Sequence, residues 1–257
     1  MTLPTPALSP APTIGRPTVA ALLGRLALAW AGFLLLMLVI DRLGLDFRLA
    51  DALYRLQGDG WTLKQHVLLE TWLHRGGRTF SQWMGGGVVL LLLASLVAQP
   101  LRHWRRPLLY LFLAVAGSTL AISSVKQLVP MECPWDLARY GGDWPFIGLL
   151  TPRPAGMPDT ACFPAGHASA GYAWIALYFC LRQVRPRLRW LGLAVGLGLG
   201  VLFGATQQLR GAHFLSHDLW TLMLCWTISA ALASRLLQTP APDTTVTPHV
   251  TENVPNA

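Results

Sequence analysis

Charge is scarce in this chain. Only 12% of its 257 residues are Asp, Glu, Lys or Arg, about half the roughly 25% of an ordinary globular protein. Just two of the cations, Lys64 and Lys126, are lysines. With no run of Lys and Arg interleaved with exposed aromatics, a nucleic-acid surface is not expected despite the net charge of +8. Four cysteines are too few for a disulfide scaffold. The abundant residues are apolar, 53% of the chain, with a mean hydropathy of +0.44. They gather in several runs of about 20, long enough to cross a hydrocarbon core roughly 30 Å thick as helices. The reading is an all-α, polytopic integral membrane protein.

The proline-rich start, residues 1–17, and the Pro/Thr/Asn-rich tail, residues 238–257, read as disordered flanks around one helical domain over residues 18–237. Six spans are predicted, at about Val19–Ile40, Phe80–Val97, Pro107–Val125, Ser169–Leu181, Leu188–Ala205 and Leu219–Leu236, the short fourth one starting near His167. The first lacks a small-residue cleavage site before Asp41, so it reads as a retained span, with a signal peptide as the alternative. Between spans one and two, Leu45, Leu49, Ala52 and Leu53 share one helical face, which predicts an amphipathic helix at the interface. Arg102, Arg105 and Arg106 follow span two; Arg182, Arg185, Arg187 and Arg189 follow span four. Positive-inside bias then makes both termini cytoplasmic and turns the remaining loops outward, toward the periplasm if the membrane is a bacterial inner one.

Three polar islands interrupt the apolar pattern, all at span ends on that outward face: Lys126, the stretch Phe163–Ser169, and the stretch Arg210–Asp218. Ionisable groups at membrane depth are functional candidates, interface anchoring being the alternative. Pro164 and Gly166 before a helix leave free backbone N–H groups that favour an anion, with His167 beside it. At helical spacing Arg210, His213 and His217 share a face, giving a cationic pocket. Cations that hold phosphoryl oxygens, one imidazole that attacks phosphorus and another that protonates the departing oxygen suit phosphoryl transfer.

These residues resemble the type-2 phosphatidic acid phosphatase superfamily, six-helix membrane phosphatases with the signature Lys-x6-Arg-Pro, Pro-Ser-Gly-His and Ser-Arg-x5-His-x3-Asp. Lys126 and Pro134 match the first part, with Cys133 at the arginine place; Pro164-Ala165-Gly166-His167 matches the second, with Ala165 for serine. Alignment of the third part on His213 puts Gln207 at the arginine and His217 at the aspartate. The resemblance implies an outward-facing site in which His213 is the nucleophile, forming a phosphohistidine. His167 is then the general acid and Asp218 orients His213. Lys126, Arg210, Gly166 and His217 hold phosphate, with Arg139 as a candidate replacement for the first missing arginine. It implies no cofactor and no metal.

The expected substrate is a phosphomonoester or pyrophosphate of an envelope lipid, of the lipid A, polyprenyl pyrophosphate or phosphatidic acid type, in contact with the bilayer. The alternatives are a phosphotransferase that passes the phosphoryl group to a second lipid, a non-catalytic lipid transporter or scaffold, and a zinc site on His213, His217, Asp218 and His167. An oxidising compartment permits a disulfide between Cys133 and Cys162, two separate thiols being the alternative. Cys180 and Cys225 fall within spans and read as small packed residues.

Overall fold

The computed structural model describes residues 18–149 and 151–237, so both flanks expected to be disordered lie outside the described residues. The described residues form helices and loops with two isolated bridges and no named strand. Helix α1 (Val19–Arg42) starts where the Thr18 hydroxyl accepts from the Ala21 N–H at 3.2 Å, which satisfies one of the free donors of the first turn. It turns Leu23, Leu28 and Leu35 outward, as a helix facing lipid does. A left-handed Gly44 ends it and opens α2 (Leu45–Leu56), the expected amphipathic connector. Asp46 pins α2 to the bundle: its carboxylate accepts from the Ser216 N–H at 2.9 Å. That donor is one of the free N–H groups opening the last helix, where a negative charge also meets the favourable end of the helix dipole.

The second crossing element departs from expectation at its start. A wide, π-wound stretch (Leu68–Gly76) runs directly into α3 (Gly77–Val97), so the apolar element is Leu68–Val97 and not Phe80–Val97. Hydropathy marks Glu70, His74 and Arg75 as interfacial, but Glu70 finds a partner in Arg210, just past the end of another helix, and a paired charge can be carried on a packed helix. Helices α4 (Arg105–Leu128), α7 (Arg189–Leu209) and α8 (Leu215–Leu236) follow the predicted spans with ends extended by a few residues. The predicted fourth span is composite: α5 (Gly166–Tyr172), one 3-10 turn (Ala173–Ile175) and α6 (Ala176–Val184). Five described helices are long and apolar enough to cross a membrane, and this composite segment is not among them.

Helix α7 is the spine against which α5 and α6 pack. Gly192, Gly196, Gly200 and Gly204 recur every fourth residue, and a Cβ on Gly196 would collide with Ile175 backbone, one on Gly200 with the Tyr172 ring. In a bilayer, where apolar burial between helices gains little, such close backbone approach supplies the packing. Tyr110 donates to the Ser229 carbonyl at 3.1 Å and joins α4 to α8; Trp174 donates to Ser81 Oγ at 2.9 Å and joins the composite segment to α3. Trp174 and Tyr110 are fully buried, and each of these polar tips has the partner that burial demands.

The described residues between 129 and 165 cover one end of the bundle. Cys133 and Cys162 form a disulfide with Cα atoms 5.3 Å apart, one of the two states the sequence left open. Glu132, 1% exposed, pairs with Arg153. The Trp135 N–H donates to the Gly211 carbonyl at 2.9 Å, which docks this loop on the turn between α7 and α8.

Candidate active site at one end of the bundle

The end of α4, the start of α5, the turn from α7 into α8 and the start of the Leu68–Val97 element lie at the same end of the bundle, and all three polar islands meet there. The arginine-rich connections 98–106 and 182–189 lie at the other end. Gly166, the first residue of α5, sits against Lys126: a Cβ there would lie 3.1 Å from Lys126 Cδ and 3.4 Å from Nζ. A side chain there would have to displace the Lys126 stem by a few tenths of an ångström. Lys126 also lies close enough to His213 to bear on its charge.

The turn between α7 and α8 corrects one expectation. Arg210, His213 and His217 do not share a helical face, because α7 ends at Leu209 and Gly211 is left-handed (φ +72°). A side chain there would also collide with the Trp61 ring, so the break is enforced twice. His213 lies in the turn and His217 in the first turn of α8, and the break itself brings them together: their Nδ1 atoms are 3.5 Å apart. Phe163 packs edge-on to His217 at 5.4 Å, and the Ala165 N–H donates to the His217 carbonyl at 3.3 Å. The Phe163–His167 turn is thereby fixed to α8. His213 is 7% exposed. Burial, then His217 and Lys126, drive its imidazolium form down, so the ring stays neutral far below the ordinary histidine range.

His167 is 9% exposed, and its Nε2 lies 3.2 Å from the Leu73 carbonyl. A carbonyl can only accept, so Nε2 carries the proton. Its ring packs against His74 at 4.4 Å and Phe203 at 4.9 Å. Arg210 is engaged beside this pair: it pairs with Glu70, donates to the Lys64 carbonyl at 2.9 Å and donates to Gln207 Oε1 at 3.0 Å.

Two expected members are engaged elsewhere. Asp218 is buried and accepts from Gln208, not from His213; its second oxygen has no protein partner. The helical geometry explains this, because a residue next to His217 projects about 100° around α8, toward Gly204 of α7. Arg139 binds Asp51 through Nε at 2.8 Å and Nη2 at 2.6 Å, which holds the Asp51 carboxyl below its ordinary range. It stacks on Phe47, which packs on Phe214, and Phe214 in turn packs on His217. Cys133, Asp136 and Cys162 form one cluster of potential metal ligands within 4.8 Å among the described residues. The two sulfurs are bonded to each other and are not free thiolates.

Glu70 and His74 also reach this end of the bundle, although no motif marks them. Their only trace in the sequence is a spacing of four residues that puts both on one face of a helix later shown to be packed.

Comparison with curated proteins and with solved structures finds no match. The family model described as the PAP2 superfamily matches residues 107–239, a stretch that contains Lys126, the Pro164–His167 turn and the whole α7–α8 turn. It covers more than half of the 257 residues, and the chain belongs to the PAP2 superfamily.

Proposed function

We propose that this protein is an envelope-lipid phosphatase that works through a phosphohistidine on His213. The superfamily's chemistry is phosphatase-type hydrolysis of phosphate esters, and the five long apolar helices put that chemistry beside a bilayer. The observation that carries the reading is the juxtaposition of Lys126, His167, His213 and His217 at the start of α5, built from three separate helix ends. On this reading the composite α5–α6 segment is the sixth crossing, and the arginine-rich loops keep the opposite end cytoplasmic, so the site faces outward.

His213, neutral because it is buried, attacks phosphorus with a ring-nitrogen lone pair, so a P–N bond forms as the P–O bond to the lipid breaks. His167 supplies the proton that the departing oxygen takes up. Lys126 and the N–H groups opening at Gly166 offset charge on the phosphoryl oxygens. His217, whose ring nitrogen faces that of His213, takes the orienting role that the sequence assigned to Asp218. Water then attacks the phosphohistidine and gives a proton to the deprotonated His167 as the P–N bond breaks, releasing inorganic phosphate and returning both histidines to their starting forms. A lipid A, polyprenyl pyrophosphate or phosphatidic acid type of headgroup fits this chemistry at a membrane surface.

The test is phosphate release by purified protein in detergent from a panel of these lipid phosphates, with EDTA present. Release that His213→Ala reduces by at least ~10³-fold while the protein stays folded supports the reading. Release that needs zinc, or that survives in His213→Ala, overturns it.

A further inference from the structure

The polar groups that the Leu68–Gly76 stretch sends into the site precede the family-matched residues 107–239, so their role has to be read from this chain's own geometry. Glu70 pairs with Arg210. Arg210 Nη1 donates to Gln207 Oε1 at 3.0 Å, and Gln207 Nε2 lies 2.9 Å from His74 Nδ1. The direction of this chain is forced. A guanidinium only donates, so the amide must turn its oxygen to Arg210 and its NH2 to His74. His74 Nδ1 must then accept and carry no proton, which leaves a neutral ring protonated at Nε2. Protonation at Nδ1 would set an N–H against the amide NH2 and break the chain.

Position gives this lock its consequence. The His74 ring lies 4.4 Å from the His167 ring, and His167 is tied to the adjacent Leu73 carbonyl. One helical turn therefore grips His167 by a hydrogen bond and by a ring. The titratable and charged groups facing the pair are Glu70, Arg75 and Arg78 on the same element, Arg210 from the end of α7, and His213 from the turn between α7 and α8. Glu70 is taken by Arg210 and Arg75, so a second cationic imidazole beside His167 would have no free counter-charge.

We propose that His74 is a positioning residue for His167. Held neutral through Gln207, Arg210 and Glu70, it fixes the His167 ring and leaves His167 as the histidine of the pair that can carry the transferable proton. This rests on the reading of His167 as general acid, and it explains why glutamine stands at position 207: an arginine there would offer His74 Nδ1 a cationic donor and Arg210 no acceptor.

The experiment compares His74→Phe, which keeps a ring against His167, with His74→Ala and Gln207→Leu. The full-length protein in detergent is used, with 15N-labelled imidazoles. In the wild type, His74 is expected to give a neutral, Nε2-protonated signal across the neutral pH range. His74→Phe and Gln207→Leu are expected to move the pH at which His167 titrates. Where turnover is measured, kcat should fall ~10- to 100-fold with KM changed little, and the alkaline limb of the pH profile should shift with the His167 titration. A His167 titration unmoved by all three variants overturns the proposal whatever the turnover. A wild-type rate that survives His213→Ala overturns the phosphohistidine reading instead.

Discussion

His213 illustrates how burial selects a protonation state. Its lowered basicity means that the unfolded chain takes up a proton near the ordinary value of 6.5 while the folded chain does not. Protons therefore stabilise the unfolded state, and folding stability falls as pH drops below about 6.5 toward the lower folded value, with no contribution above it. Thermal unfolding in detergent at about pH 5 and pH 7.5 should show this loss, and His213→Gln should shrink it; an identical pH dependence in the variant would show that another group is responsible. Arg210 makes a second test at this scale. Because Glu70 is only 22% exposed and shares its charge between Arg210 and Arg75, Arg210→Ala should cost about 1–3 kcal/mol of stability. Gln207→Ala should cost less, and Glu70→Gln combined with Arg210→Ala should recover part of the loss in a double-mutant cycle.

At the scale of elements, the helices were legible because a run of apolar residues has one solution in a bilayer, a helix with every backbone group bonded internally. The amphipathic α2 was legible for the same reason in its periodic form. The start of the second crossing element was not legible, because whether Glu70 and His74 lie at the surface or inside depends on Arg210 and Gln207, more than a hundred residues away in sequence. The helical face drawn through Arg210, His213 and His217 failed at Gly211, since spacing alone cannot tell a continuing helix from a left-handed turn. The α7 glycines give this scale its prediction. Gly200→Leu should displace the Tyr172 ring, overpack the α5–α7 contact by ~1–3 kcal/mol and lower the yield of folded protein, whereas Gly198→Leu, whose Cβ position is open, should not. Equal losses in the two variants would count against the packing stripe.

For the whole molecule, the 129–165 loop decides how the end of the bundle is closed. The Cys133–Cys162 disulfide spans a sequence separation of 29 and joins the residue at the missing-arginine position of the first motif to the residue just before the Phe163–His167 turn. Loop-closure entropy assigns it about 3–4 kcal/mol. Reduction, or Cys133→Ser with Cys162→Ser, should make this loop sensitive to protease and lower the unfolding temperature; retention of both properties would mean that the Glu132–Arg153 pair and the Trp135–Gly211 contact suffice. Membrane sidedness is also a whole-molecule property. A cysteine introduced at Asp143 should react with an impermeant thiol reagent added outside intact cells, and one at Arg102 should not; the reverse pattern would invert the topology.

By itself the sequence determined the helices, through apolar runs that have no other stable form in lipid, and the family, through short motifs whose residues sit at helix ends. It also singled out Lys126, His167, His213 and His217 as candidates by the chemistry of their side chains, and the packed helix ends bring these four together. Tertiary structure alone decided who faces whom. Asp218 turns to Gln208, Arg139 to Asp51, and His217 to His213. Those choices depend on where the chain breaks its helices and which distant charge is near enough to pair, and both are fixed only when the helices pack.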